Sequence, residues 1–193
     1  MIFSSNFPII LILKHMKTIN ILGIFMLLFA LNTSAQQIST ADLQVTGLTC
    51  SMCSNATQKS LKTLDFISNI KPDLNKNIFV LDFKDKAKIN LDLVAKKVQD
   101  AGFSVGGLTA NFNFNNLKVD DKGTAVVDGI VYQFTNVKDK TLNGPVKATV
   151  LDKNFVSGTT YKKQSSKINT DAYKNGTTIV NGKKLRVYHL SVS

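Results

Sequence analysis

Residues 42–53 read Asp42-Leu43-Gln44-Val45-Thr46-Gly47-Leu48-Thr49-Cys50-Ser51-Met52-Cys53. Polar and apolar side chains alternate as far as Thr46, which is the period of a half-buried strand, and Gly47 breaks the alternation. Over residues 53–64, Ala56, Ser60, Leu61 and Leu64 recur at helical steps and make one apolar face. The two cysteines therefore stand three positions apart, one in a loop and one in the first turn of a predicted helix. That spacing lets both sulfurs point at one spot. The helix N-terminus adds unpaired N–H groups and the positive end of the dipole, which favour thiolate over thiol.

Downstream, residues 66–74 form a broken strand carrying Phe66, Ile70 and Leu74, and Asn75-Lys76-Asn77 supplies a turn. Phe79, Leu81 and Phe83 then share one face of a clear strand. Asn90 is predicted to cap a second helix with Leu91, Val94, Ala95, Val98 and Ala101 on its apolar face. Gly102 closes that helix, and Phe103 and Val105 begin a fourth strand. The order βαββαβ predicts an α+β, ferredoxin-like domain over residues 36–109, a four-stranded antiparallel sheet with both helices on one face.

Residues 110–193 show no helical period. Phe112-Asn113-Phe114-Asn115 alternates, residues 125–137 are rich in Val, Ile, Tyr and Phe, and residues 146–150 alternate again. Turn signals fall at Asp121-Lys122-Gly123, Asn143-Gly144-Pro145, Ser157-Gly158 and Asn175-Gly176. Asn181-Gly182, between two β-patterned runs, signals a two-residue type I′ hairpin. These features predict a small all-β domain, barrel or sandwich, of five or six strands. It carries 13 basic residues against 6 aspartates, which is most of the surplus charge.

The whole chain has 193 residues, 44% of them hydrophobic, with room for one or two small domains. Its net charge of +11 comes from 24 basic and 13 acidic residues; every acid is aspartate and the only arginine is Arg186. This is a lysine surface, not an arginine fork for nucleic acid. With no tryptophan, two histidines and two cysteines, the chain lacks the groups for a catalytic triad or for a zinc site built wholly from itself. No enzymatic activity is expected.

Residues 1–35 read as a signal peptide: Met16-Lys17, the expected start, then an apolar run over residues 19–31, then Asn32-Thr33-Ser34-Ala35 before a cut at Gln36. The run is shorter than the roughly 20 residues that span a bilayer. The expected product is exported, periplasmic or secreted, with no membrane span after cleavage and no cysteine at the cut to acylate. Export also argues against a nucleic-acid partner. The aromatics Tyr132, Phe134, Phe155, Tyr161, Tyr173 and Tyr188, interleaved with lysines, are expected to be core rather than base-stacking platforms.

The segment Gly47-Leu48-Thr49-Cys50-Ser51-Met52-Cys53 resembles the Gly-Met-Thr-Cys-x-x-Cys signature of the heavy-metal-associated domain, found in copper chaperones and in the N-terminal modules of metal-transporting P-type ATPases. The resemblance covers residues 39–109, including the βαββαβ order and the Ala101-Gly102-Phe103 entry to the last strand. It implies that Cys50 and Cys53 are metal ligands. It further implies capture and hand-over of a soft ion, Cu(I) first, with Zn(II) or another soft heavy metal as the alternative, between metal-donor and metal-acceptor proteins. Soft sulfur selects Cu(I), which accepts two ligands, whereas Zn(II) wants four and only His189 or a nearby aspartate could add to the set.

The chain departs from the signature in places. Leu48 replaces the methionine while keeping apolar packing, Asp65-Phe66-Ile67 replaces a Gly-Val pair, and Phe103 cannot donate a hydrogen bond to sulfur. The rival readings are a thiol–disulfide redox protein, which lacks the Trp-Cys-x-x-Cys surroundings, and an envelope interaction module in which the cysteine domain senses metal. A partner for residues 110–193 is expected but unidentified. Met52 is a candidate third soft ligand, and His189 is expected to be a strand residue rather than a ligand.

Overall fold

The computed structural model describes residues 37–193; the signal peptide expected over residues 1–35 lies outside them. The first six elements follow the expected order: β1 (Gln37–Thr46), α1 (Ser51–Leu61), β2 (Ile67–Asp73), β3 (Ile78–Phe83), α2 (Leu91–Asp100) and β4 (Ser104–Val119). β3 buries Phe79, Leu81 and Phe83 at alternate positions, as its period requires. Asn90 caps α2, its Oδ1 accepting a hydrogen bond from the Leu93 amide at 3.2 Å, while Leu91, Val94, Ala95 and Val98 are buried. Gly102 follows in the left-handed conformation, φ +88°, that ends a helix without a Cβ clash. β1 pairs antiparallel with both β3 and β4, and β2 pairs with β3. The two helices pack on each other, fastened by Ser60 Oγ donating to the Lys97 carbonyl at 2.8 Å.

β4 does not stop where the composition changes. It runs on to Val119, pairing with β1 as far as Asn113 and with β7 (Lys140–Val150) from Thr109 onward, so residue 109 lies in mid-strand. The remaining elements are β5 (Thr124–Val127), β6 (Ile130–Phe134), α3 (Gly158–Ser165), α4 (Asp171–Asn175), β8 (Thr177–Val180) and β9 (Lys183–Val192). The nine strands of the described residues join one sheet in the order β2-β3-β1-β4-β7-β9-β6-β5, with β8 on β9.

The all-β barrel or sandwich expected for residues 110–193 needs two corrections. Its strands extend the first sheet instead of closing on one another, because Leu108, Ala110, Phe112 and Phe114 continue one buried face of β4 without interruption. The segment also contains α3 and α4. α3 buries none of its residues, so it leaves no apolar period to read. Only its cap, Ser157 Oγ accepting from the Thr160 amide at 3.2 Å, marks it locally, as Thr170 marks α4. Asn143-Gly144-Pro145, expected to be a turn, lies inside β7, where Gly144 at φ +80° faces a bulge in β4 at Asn115-Asn116. The run over residues 125–137 is a hairpin, folded at Asp128-Gly129. Asn181-Gly182 forms the expected turn, with φ +49° and +73°.

Five of the six interleaved aromatics are core, as expected, and Tyr161 lies at its margin. Phe112 stacks on Phe114 at 5.7 Å, and Tyr132 meets both edge-on at about 6 Å. Tyr132, Phe134, Phe155, Tyr173 and Tyr188 are buried, and the half-buried Tyr161 stacks on Tyr173. No helix among the described residues is long and apolar enough to cross a membrane.

Arg186 fastens the added strands to the first module. From β9 its Nε and Nη2 donate to the two oxygens of Asp92, in the first turn of α2, at 2.8 and 2.9 Å. Nη1 donates to Asp152 at 3.3 Å and to the carbonyls of Gly176 and Val187. The guanidinium lies 4.2 Å over the Tyr188 ring, and the Tyr188 hydroxyl donates to Asp92 at 3.0 Å. Burial works against the charge, but the hydrogen bonds and charges of Asp92 and Asp152 outweigh it and hold the guanidinium pKa above its usual value. Only an arginine reaches both carboxylates in this fork geometry. Behind it the buried Asp152 carboxylate accepts from the His189 amide at 2.8 Å and faces His189 Nδ1 at 3.2 Å. His189 is thus a buried strand residue, as its alternating surroundings predict.

Candidate metal centre

The site begins where β1 ends. Gly47, at φ +91°, turns the chain, and a Cβ there would already sit 3.6 Å from the Phe103 ring. Three residues on, Cys50 is the N-cap of α1: its backbone is extended, and its sulfur accepts a hydrogen bond from the Cys53 amide at 3.3 Å. A cysteine thus fills a position usually held by Ser, Thr, Asp or Asn. This cap starts α1 at Ser51 and places Cys53 in its first turn.

The two sulfurs lie 2.7 Å apart, beyond the roughly 2.05 Å of a disulfide, and both thiols are free. Cys50 is exposed and Cys53 half-buried. The first turn of α1 carries no acidic residue, so nothing offsets the positive helix end beside the sulfurs. The hydrogen bond with the Cys50 sulfur holds the Cys53 thiol below the usual cysteine pKa; desolvation resists this, and the amide and hydroxyl of Thr49 assist it. In the reduced, metal-free protein, alkylation of Cys53 by iodoacetamide is therefore expected to reach half its maximal rate below about pH 8.5, the value for a free cysteine. The sign follows from the shift: a lowered pKa supplies thiolate at lower pH. A midpoint at or above that pH, read by mass spectrometry across a pH series, would contradict the geometry.

Thr57, fully buried one turn further along α1, donates its hydroxyl to the Cys53 carbonyl at 3.1 Å and steadies the first turn. Leu48 and Phe103 are partly buried against the core, so both act as packing beneath the loop. A cleft of about 200 Å³ beside Cys50 is walled by Leu48, Thr49, Ser51, Ser54, Leu74 and Asn77. Met52 is 80% exposed and does not line this cleft; it borders a neighbouring one with Pro72 and Leu74. His189 is engaged with Asp152 and belongs to a different cluster. Among the described residues, no group of three or more His, Cys or Asp side chains stands where it could share one ion. The donor set is two sulfurs, which suits a soft ion of low coordination number. Sequence reasoning missed Thr49 and Leu74 as parts of the site. Thr49 was legible as the residue before the cap, whereas Leu74 reaches the site only through the β2–β3 turn.

Residues 42–104 match the family model of the heavy-metal-associated domain, which ends at the first residue of β4. Over 63 residues the chain is 27% identical to copper chaperone CopZ of Staphylococcus haemolyticus, a stretch that is 33% of this chain and 91% of that protein. Among solved structures, the yeast copper transporter domain Ccc2a, determined in apo and Cu(I)-loaded states, is 25% identical over 34% of this chain and 88% of its own, with a TM-score of 0.31. Apo-CopP from Helicobacter pylori is 29% identical over 34% of this chain and 97% of its own, with a TM-score of 0.30.

Proposed function

We propose, from the heavy-metal-associated domain matched at residues 42–104, that this chain is an exported carrier that captures Cu(I) between Cys50 and Cys53 and hands it to a partner protein. The observation that carries the reading is the pair of free sulfurs 2.7 Å apart at an uncompensated helix N-terminus. Sulfur is the donor soft ions prefer, and the likeness to a copper chaperone over the same residues adds copper as the cargo. Zn(II) fits less well, since two further ligands would have to come from outside the chain.

Transfer proceeds by ligand exchange. An incoming thiolate of the partner joins the ion, and one of the two protein sulfurs then leaves, so the ion is never without ligands. Cys50, exposed and in the cap, is the sulfur the partner reaches first; Cys53, on the helix, stays behind until the second exchange. No bond of a substrate is made or broken, and the reading is of a carrier rather than an enzyme. Export to a periplasm or beyond is part of the proposal and rests on the composition of residues 1–35.

The test is an anaerobic competition titration of Cu(I) against a chromogenic chelator. Cys50→Ser and Cys53→Ser are each expected to weaken Cu(I) at least a hundredfold, because oxygen is a poor ligand for a soft ion. Retention of wild-type affinity in either variant would place the ion elsewhere. The same pair of sulfurs also suits a dithiol that exchanges with a partner disulfide, which takes up the two electrons and two protons as the Cys50–Cys53 bond forms. That second reading predicts a redox couple whose activity does not depend on metal.

A further inference from the structure

We propose that residues 153–184 form a docking surface for an anionic phospholipid bilayer, recognised through the headgroup phosphates. This inference is independent of the metal site. Lys162 and Lys163 lie on α3, Lys167 in the loop after it, Lys174 on α4, and Lys183 and Lys184 at the β8–β9 turn. All six are exposed, as is Lys153, and none forms an ion pair among the described residues. The segment has one acid, Asp171, while the neighbouring Asp152 is buried beneath Arg186. Residues 37–109, by contrast, hold 9 lysines against 7 aspartates. The surplus is thus concentrated on one lobe.

The lobe is fixed to the sheet. Tyr161 stacks on Tyr173 at 5.2 Å, joining α3 to α4, and the Tyr173 hydroxyl donates to the Leu151 carbonyl at 2.7 Å. Burial and the nearby Asp152 push the Tyr173 phenol up to about 12, so it stays protonated as a donor. α4 packs on β8 and β9. Against this lobe lies a cleft of about 290 Å³ bordered by Lys153, Lys174, Asn154, Asn175 and Thr177. The two carboxylates at its wall, Asp92 and Asp152, are already bound to Arg186. What they leave for a ligand is ammonium, amide and hydroxyl, the donors a phosphate takes.

The chemistry favours a bilayer over a nucleic acid. Lysine ammoniums act as compact, hydrated point charges, the single arginine is saturated, and the aromatics that would stack on bases are buried or, for Tyr161, already stacked on Tyr173. Beside the lysine turn, Ile179 on β8 is 74% exposed, an apolar side chain able to enter the headgroup layer. Each lysine that engages an anionic leaflet adds about a fivefold gain in partition, an effect that salt screens.

The experiment is vesicle co-sedimentation of the full chain, comparing phosphatidylcholine with a phosphatidylcholine–phosphatidylglycerol mixture. Two variants are run beside it. K162Q/K163Q/K167Q/K183Q/K184Q removes five of the seven lysines of the lobe, and K59Q/K62Q/K84Q/K86Q/K88Q removes the same charge from the first module. The expected result is at least tenfold stronger binding to anionic vesicles at about 50 mM salt, lost near 300 mM, abolished in the lobe variant and kept in the other. Any contribution of residues 1–36, Lys14 and Lys17 included, is common to all three chains and cancels in the comparison between them. Equal loss in both variants would reduce the effect to net charge and overturn the proposal. So would retention by the lobe variant, or binding to a DNA oligonucleotide or heparin with none to vesicles.

Discussion

Phe112→Ala is expected to destabilise the whole described chain by about 3–5 kcal/mol and to lower its melting temperature on the order of 10 °C. Phe112 is fully buried in β4, opposite Ile38 of β1 and Val146 of β7, and its ring contacts both Phe114 and Tyr132. It belongs at once to the first module and to the strands added after it. Removing the ring leaves a cavity that a paired strand cannot collapse. The signature of a shared core is a single transition that moves as one, followed by calorimetry and by near-UV absorption of the tyrosines. Two transitions, one of them unmoved by the substitution, would show the two parts folding independently despite the common strand.

Arg186→Met carries the second large effect, a loss of about 3 kcal/mol, measured by urea unfolding. Methionine keeps much of the packing over Tyr188 but leaves the interior Asp152 carboxylate facing only His189. Asp92 is 39% exposed in its side chain and can turn to water, so the cost arises mainly at Asp152 and sits at the low end for a broken buried pair. The double variant R186M/D152N should recover part of the loss, because it removes the stranded charge. An R186M chain as stable as the wild type would mean that α2 is not held through this fork.

The first six elements were legible because each carries its own period and punctuation. Alternation of Phe79, Leu81 and Phe83 marks β3, and Asn90 with Gly102 brackets α2. Cys50 and Cys53 were legible for the same reason, since a two-cysteine step at the start of a helix is a local pattern. What stayed hidden is not local. The continuation of β4 past residue 109 depends on β7, which arrives some thirty residues later to pair with it. The β5–β6 hairpin brings β6 beside β9 in parallel, a pairing that no turn residue encodes. α3 has one apolar side chain, Tyr161, and so no apolar period, and is written only in its Ser157 cap. The tie between Arg186 and Asp92 joins residues 94 positions apart. Its one sequence signal is that a lysine-rich chain uses arginine once.

Whether the Cys50–Cys53 pair holds Cu(I) is decided by anaerobic Cu(I) titration of the reduced chain, read by X-ray absorption at the copper edge and by counting thiols open to alkylation. The expected result is about one Cu(I) per chain, low-coordinate and bound only to sulfur, with both cysteines protected when the ion is in place. A chain that purifies as a stable Cys50–Cys53 disulfide and takes up no Cu(I) after reduction would contradict it, and would leave the pair as a redox or structural device.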